Sequence, residues 1–95
     1  MTMGPTMKPE IRAAGPPRKR SLTLSRHRTS VSLEDAFWTE FQAIAARQGT
    51  SVNGLAARID RQRGLDIGLA SAIRLYVLED LQAQLASVRE PVRDS

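Results

Sequence analysis

One stretch of alternating residues, from Arg20 to Leu33, restricts the fold of this chain more than any other feature. A period of two in the apolar pattern predicts a β-strand. The inward positions of the alternation are Leu22, Leu24, Thr29, Val31 and Leu33. Between the two halves, residues 25–28 contain neither Gly nor Asn. No tight hairpin turn is therefore expected, and the first half is predicted to continue the strand.

The rest of the chain offers no partner for this strand. An unpaired strand leaves a row of backbone N–H and C=O groups without hydrogen bonds. We therefore expect Arg26 to Leu33 to pair antiparallel with the same segment of a second chain, which gives an intermolecular two-stranded ribbon. A chain of 95 residues also buries too little surface to be very stable by itself, which favours a homodimer.

A first helix is predicted directly after the strand. Ser32 and Asp35 have the spacing of a capping box, and Gly49 can end the helix after Gln48. The side chains expected on its buried stripe are Phe37, Phe41, Ile44 and Ala45.

Two further helices are predicted, from Thr50 or Ser51 to about Arg63 and from Leu69 to Leu85. The apolar face of the last helix is too broad for a lone surface helix. Either it packs against its copy across a two-fold axis, or it is the central helix of a three-helix monomer. The predicted fold class is mainly α with one β-strand, as an intertwined homodimer.

Cysteine and histidine content limits the chemistry. The chain has no cysteine and one histidine, so neither a disulfide framework nor a histidine or thiolate zinc site is expected. No nucleophile with a paired base and no glycine-rich phosphate loop is visible, so we expect neither an enzyme nor a cofactor. No apolar run is long enough to span a membrane, and a cytoplasmic location is expected.

Charge is distributed unevenly along the chain. Residues 1–30 carry seven Lys/Arg and one acidic residue, Glu10, within a total net charge of +4. This pattern indicates either a polyanion-binding segment or a solvated charged tail. The predicted organisation is a disordered basic arm at 1–19, a folded domain at 20–86 and a flexible tail at 87–95.

Two segments resemble the ribbon-helix-helix DNA-binding superfamily. Residues 28–38 resemble its strand-to-helix junction, and residues 71–74 resemble the start of its second long helix. Residues 20–24 and 27–34, with the later residues 72–74, together resemble a bacterial subgroup known only as ribbon-helix-helix domain proteins. The usual pattern has two helices after the strand, so this chain is expected to carry one extra helix.

The resemblance implies a dimeric DNA-binding protein that regulates transcription and inserts its ribbon into the major groove of double-stranded DNA. The side chains expected to contact bases are Arg28, Ser30 and Ser32. The residues expected to contact phosphates are Arg18, Lys19, Arg20, Arg26, Ala70 and Ser71. The last two begin the final helix, and an alternative alignment assigns that phosphate contact to Thr50 and Ser51.

A second hypothesis is that the ribbon binds an anionic nucleotide, with or without DNA. Arginine forks suit phosphate groups in either case. The candidate anion-binding residues are Arg20, Arg26, His27 and Arg28. His27 stands between two arginines, so it is either a pH-sensitive anion ligand or an ordinary surface residue.

Overall fold

The structure is a computed structural model that describes residues 15–89. This part of the chain folds into a β-hairpin followed by three helices. The elements are β1 (Arg18–Leu24), β2 (His27–Leu33), α1 (Asp35–Arg47), α2 (Val52–Gln62) and α3 (Leu69–Arg89). Met1 to Ala14 of the predicted arm and residues 90–95 of the predicted tail lie outside the described residues. β1 begins at Arg18 and α3 continues to Arg89, so the fold extends past the predicted limits of 20 and 86.

The prediction of a single strand was wrong. β1 folds back on β2 as an antiparallel hairpin, in a register that pairs Leu24 with His27 and Arg18 with Leu33. The turn consists of Ser25 and Arg26, and Ser25 adopts φ +52°. Two-residue hairpin turns require positive φ at the first central position, which usually favours glycine. Here a serine adopts it, at a cost of about 1–3 kcal/mol that packing of the hairpin must exceed. Strand pairing therefore does not require a second chain.

Burial of one hairpin face explains why the strands fold back. Leu22, Leu24, Val31 and Leu33 are all buried, and they point toward the helices. Burying a leucine side chain contributes about 1.5–3 kcal/mol, so four such residues outweigh one strained turn residue. The largest fully buried side chains that the helices supply are Phe41, Ile44, Leu55, Ile73 and Val77.

α1 ends where the sequence predicts, but it does not begin at the predicted capping box. β2 continues to Leu33, so Ser32 belongs to the strand, and Glu34 is the N-cap residue without a side-chain capping bond. The predicted Ser32 cap was therefore wrong. Gly49, with φ +72°, ends the helix in the left-handed conformation expected of a C-terminal glycine.

α2 begins as the sequence predicts. Ser51 is the N-cap residue, and its Oγ accepts a hydrogen bond from the backbone N–H of Gly54 at 2.9 Å. α3 packs against both other helices, and the Arg47 guanidinium of α1 donates to Asp80 of α3 at 2.7 Å. In the described part of the chain, none of the helices is long and apolar enough to cross a membrane.

Candidate nucleic-acid interface

The hairpin has a polar face that points away from the helices, which we call the outer face. It consists of three cross-strand pairs: Lys19 with Ser32, Ser21 with Ser30, and Thr23 with Arg28. All six residues are exposed. They present two cations and four hydroxyl groups over a twisted two-stranded surface. Ser21 and Thr23 are additions to the predicted site. The signal for them was the alternation of apolar and polar residues in β1, where Leu22 and Leu24 alternate with these two residues.

Alternation in both strands separates the outer face from the core. Side chains of successive strand residues point to opposite sides, so burial of Leu22 and Val31 forces Ser21 and Ser30 outward. A slip of one residue in either strand would exchange the two faces and bury the cations. The same burial that holds the hairpin against the helices therefore also orients the polar side chains.

The chemistry of the outer face suits the edges of base pairs. The Arg28 guanidinium can donate two parallel hydrogen bonds to guanine O6 and N7, and hydroxyl groups can donate or accept. A two-stranded ribbon also fits the width of the major groove of B-DNA. Arg26 and His27 are exposed at the tip of the same hairpin, Arg26 in the turn and His27 at the first position of β2.

Arg20 does not lie on the outer face, although the sequence suggested that it contacts phosphates or an anion. Its guanidinium donates to the Leu33 carbonyl at 3.0 Å and to Asp35, and it lies 5.4 Å from the Trp38 ring centre. Only 15% of its side chain is exposed. Arg20 therefore joins the open end of the hairpin to the start of α1, and it is not available as an anion ligand.

Arg18 lies at the same end of the hairpin. Its Nε is 3.7 Å from Asp35 Oδ1, in an ion pair whose two side chains are more than half exposed. A pair this exposed contributes little to stability, and Arg18 stays accessible.

Arg74 of α3 is a contact residue that the sequence did not reveal. Its Nε donates to Glu34 Oε1 at 3.0 Å, and its Nη2 donates to the backbone carbonyl of Ser32 at 3.2 Å. The guanidinium also lies 5.7 Å from the ring centre of Phe37. Arg74 therefore holds the end of β2 against the first turns of α1 and α3.

The two edges of the hairpin differ. On the β1 edge, the backbone N–H of Thr23 donates to Asn53 Oδ1 of α2 at 2.9 Å, so α2 covers this edge. Across residues 15–89 the sheet has two strands, and nothing pairs as a strand with the other edge, that of β2. In a hairpin closed by two residues, the backbone groups of Arg28, Ser30 and Ser32 point out from that edge. The β2 edge is open to another strand at Arg28 and Ser30, whereas the Ser32 carbonyl accepts a hydrogen bond from Arg74.

Two helix N-termini lie beside the hairpin. α2 begins at Val52, next to the Asn53 contact with Thr23. α3 begins at Leu69, with Ala70 partly buried and Ser71 exposed one turn before Arg74. α2 therefore brings the positive end of its helix dipole to the β1 edge of the hairpin.

The two carboxylates at the base of the hairpin are held in their charged forms. The hydrogen bond from Arg20 lowers the pKa of Asp35 below its ordinary 3.8, against a smaller opposing effect of desolvation. A hydrogen bond from its own backbone N–H, with a further contribution from Arg74, lowers the pKa of Glu34 below 4.5. Both groups therefore favour folding only while they are ionised.

These shifts predict acid sensitivity. A carboxyl group with a lowered folded-state pKa contributes stability above its unfolded value and loses it as pH falls through the folded value. We expect the free energy of unfolding to fall as pH drops below 4.5 and then below 3.8. Urea unfolding at a series of pH values would measure this. The double variant Glu34→Gln, Asp35→Asn should show a flatter profile, and identical profiles would contradict the assignment.

Within residues 15–89 the structure contains no cluster of three or more side chains of the metal-binding types. A family model described as "Ribbon-helix-helix domain" matches residues 17–81, which include the whole hairpin, α1, α2 and the first part of α3. Searches of the curated proteins and of the solved structures found no match. The match covers more than half of the 95-residue chain. This chain belongs to the ribbon-helix-helix domain family, a family of DNA-binding regulators.

Proposed function

We propose that the protein is a dimeric, sequence-preferring DNA-binding protein and a bacterial transcriptional regulator. It acts in the cytoplasm by inserting its ribbon into the major groove of double-stranded DNA. The outer face of the hairpin is the observation that carries this proposal, because two cations and four hydroxyl groups share one exposed strand surface. Family membership supports DNA binding in general.

Arg28, Ser30 and Ser32 contact bases in this proposal, and Ser21 and Thr23 extend the same face. Serine hydroxyls discriminate between bases poorly, because they can both donate and accept. Sequence preference therefore depends mainly on Arg28 and on the shape of the DNA. Lys19 on this face, with Arg18 and Arg26 beside it, contacts phosphates.

The helix N-termini contribute further phosphate contacts. Free N–H groups and the dipole favour anions there. Ala70 and Ser71 at the start of α3 and Thr50 and Ser51 at the start of α2 are the two candidate pairs. The Asn53 contact with Thr23 favours α2 as the closer of the two to the hairpin.

Two copies join through the open edge of β2. Asn53 occupies the Thr23 N–H on the β1 edge, whereas the backbone groups of Arg28 and Ser30 face outward on the β2 edge. Pairing of two β2 edges satisfies these groups and places an Arg28 from each chain on one continuous surface. The two β2 strands then form the centre of a four-stranded sheet, with each chain's β1 at an edge. In this proposal the central pair of β2 strands is the ribbon that enters the groove.

Replacement of Arg28 tests the proposal. We expect Arg28→Ala to weaken binding to the preferred DNA site by about 1–3 kcal/mol and to relax the preference at one base position. Selection of bound sequences from random DNA would identify the site, and fluorescence anisotropy would measure the affinity. Absence of any enriched sequence with the wild-type protein would refute sequence-preferring binding.

Arg61→Ala is a matched control, because Arg61 is an exposed arginine near the other end of α2 and its loss changes the net charge equally. The Arg28 effect should exceed the Arg61 effect and should be specific to sequence. Competition with small nucleotides completes the experiment. Arg26, His27 and Arg28 are exposed, so displacement of DNA by a nucleotide would favour nucleotide binding at this face.

A further inference from the structure

β1 contributes half of the outer face, and its side chains differ in kind from those of β2. Lys19, Ser21 and Thr23 point outward from β1, and all three are exposed. They offer one ammonium group and two hydroxyl groups. None of them carries the planar fork with which Arg28 of β2 can read a guanine. Lysine and hydroxyl side chains commonly donate to DNA phosphates, so β1 has the chemistry of a backbone contact.

The width of the proposed four-stranded sheet decides where β1 meets the DNA. Neighbouring strands lie about 4.8 Å apart, so the two β1 strands of this sheet are separated by about 14 Å. The major groove of B-DNA is only about 12 Å wide. The central pair of β2 strands therefore fits between the groove walls, which are the sugar-phosphate backbones on either side. Each β1 strand lies over one of these walls.

The register of the hairpin keeps β1 and β2 side chains in adjacent positions. Thr23 faces Arg28, and Ser21 faces Ser30. With a two-residue turn these are the closely spaced pairs of the hairpin, whose Cα atoms are about 4.5 Å apart. A backbone contact at Thr23 therefore fixes the position of Arg28 along the groove. Lys19 and Thr23 are separated by about 14 Å along β1, far enough to pass more than one phosphate.

α2 adds a second feature that favours anions at the β1 edge. The backbone N–H of Thr23 donates to Asn53 Oδ1 at 2.9 Å, in the first turn of α2. This hydrogen bond holds the positive end of the α2 dipole beside β1. Positive charge is therefore present near both ends of β1, from Lys19 at one end and from α2 at the other.

We propose that β1 is a phosphate-contacting strand, in which Lys19, Ser21 and Thr23 contact the sugar-phosphate backbone while β2 reads the bases. This inference rests on the proposed function, and it divides the outer face between the two strands. β1 then contributes affinity without sequence information, and it positions β2 in the groove. Sequence preference resides in β2.

Separate measurements of affinity and preference test this division on the full chain. Thr23→Val removes the hydroxyl group, retains a β-branched side chain that suits a strand, and leaves the backbone hydrogen bond to Asn53 in place. We expect Thr23→Val and Ser21→Ala each to weaken binding to the selected site and to a scrambled site equally, by about 3-fold or more. Arg28→Ala should instead lower the ratio of the two affinities. A lowered ratio for Thr23→Val, or unchanged affinities for both β1 variants, would overturn the inference.

The salt dependence of binding tests Lys19. Each phosphate contact by a cation contributes about −0.9 to the slope of log K against log salt concentration, so Lys19→Gln should reduce the slope of a dimer by about 1.8. Arg61→Gln is the matched control, because it removes the same charge from an exposed position near the other end of α2. The control should retain a slope close to that of the wild type. Equal slopes for the two variants would contradict the Lys19 contact.

Modified DNA locates the contacts. Single phosphates of the selected site can be replaced by neutral methylphosphonates. At one position we expect the wild type to lose affinity and Lys19→Gln to lose no more, which is the coupling expected of a direct contact. Replacement of guanine by 7-deazaguanine, which lacks the N7 acceptor, should couple to Arg28→Ala. Coupling of Thr23→Val to a modified base, or no coupling of Lys19→Gln to any phosphate, would refute the division.

The two proposals fail in different ways. Failure of the proposed function would appear as a wild-type protein that enriches no DNA sequence, or as an Arg28→Ala variant with full base preference. Failure of the β1 inference would appear as an enriched site whose preference depends on Thr23 as well as on Arg28, or whose affinity does not depend on β1.

Discussion

Replacing Phe41 with alanine is expected to lower the free energy of unfolding by about 3–5 kcal/mol. Phe41 has no exposed surface and is the largest of the fully buried side chains. Its ring centre lies 6.1 Å from that of Trp38, in a tilted arrangement. The cost combines lost transfer energy with a cavity that the neighbouring elements cannot close. Small domains are stable by only about 5–15 kcal/mol, so this loss is a large share of the total.

Urea unfolding followed by the fluorescence of Trp38, the only tryptophan, would measure the effect. Gln42→Ala is the matched control, because Gln42 is the next residue on α1 and is exposed. We expect its effect to stay within about 0.5 kcal/mol. Protein concentration must be equal in all experiments, because association couples to unfolding. An effect below about 1 kcal/mol at Phe41 would contradict the assigned core.

Replacements of two neighbouring residues of β2 should affect different properties of the protein, one its stability and the other its DNA affinity. Leu33 is fully buried, and Leu33→Ala is expected to cost about 2–5 kcal/mol of stability. Ser32 is exposed on the outer face, and Ser32→Ala should change stability by less than about 0.5 kcal/mol. The same serine replacement should weaken DNA binding by about 0.5–1.5 kcal/mol, the net contribution of one hydrogen bond.

The comparison separates folding from binding within one strand. Thermal unfolding and anisotropy with the selected DNA site provide the two measurements. At a temperature where both variants are folded, Leu33→Ala should bind DNA nearly as the wild type does. A Ser32→Ala variant with wild-type affinity would remove Ser32 from the proposed contacts and leave Arg28 as the main determinant.

Local patterns predicted most helix limits. Gly49 after Gln48 and Ser51 before Val52 mark the boundary between α1 and α2, and the structure confirms both. These signals depend on one or two residues and on the backbone conformations that they prefer. They are therefore visible in a sequence without knowledge of what packs nearby.

The turn at Ser25 and Arg26 could not be predicted in the same way. Its residues lack the glycine or asparagine that usually adopts positive φ, so local preference argued against a hairpin. Packing of Leu22 and Leu24 against α2 and the rest of the core overrides that preference. This contribution comes from residues about 30 positions away, such as Asn53, which bonds to Thr23.

The candidate interface was likewise predicted only in part from the sequence. Alternation along β2 was enough to place Arg28, Ser30 and Ser32 on one face, and the structure exposes all three. It could not show that Lys19, Ser21 and Thr23 share that face, because cross-strand neighbours depend on the register of β1. The alternation also could not show that Arg20 is held within the fold while Arg28 is exposed, because both are basic residues in strand-like segments.

The sequence by itself determined the strand-like alternation, the two faces of β2, the three helices and most of their ends. Each of these follows from the periodicity of side chains or from a capping residue close by. The tertiary structure alone decided that the strand folds back within the chain, that Arg20 is held by Leu33 and Asp35, and that Arg74 reaches Ser32. These outcomes depend on contacts between distant residues, whose energies a local pattern does not contain.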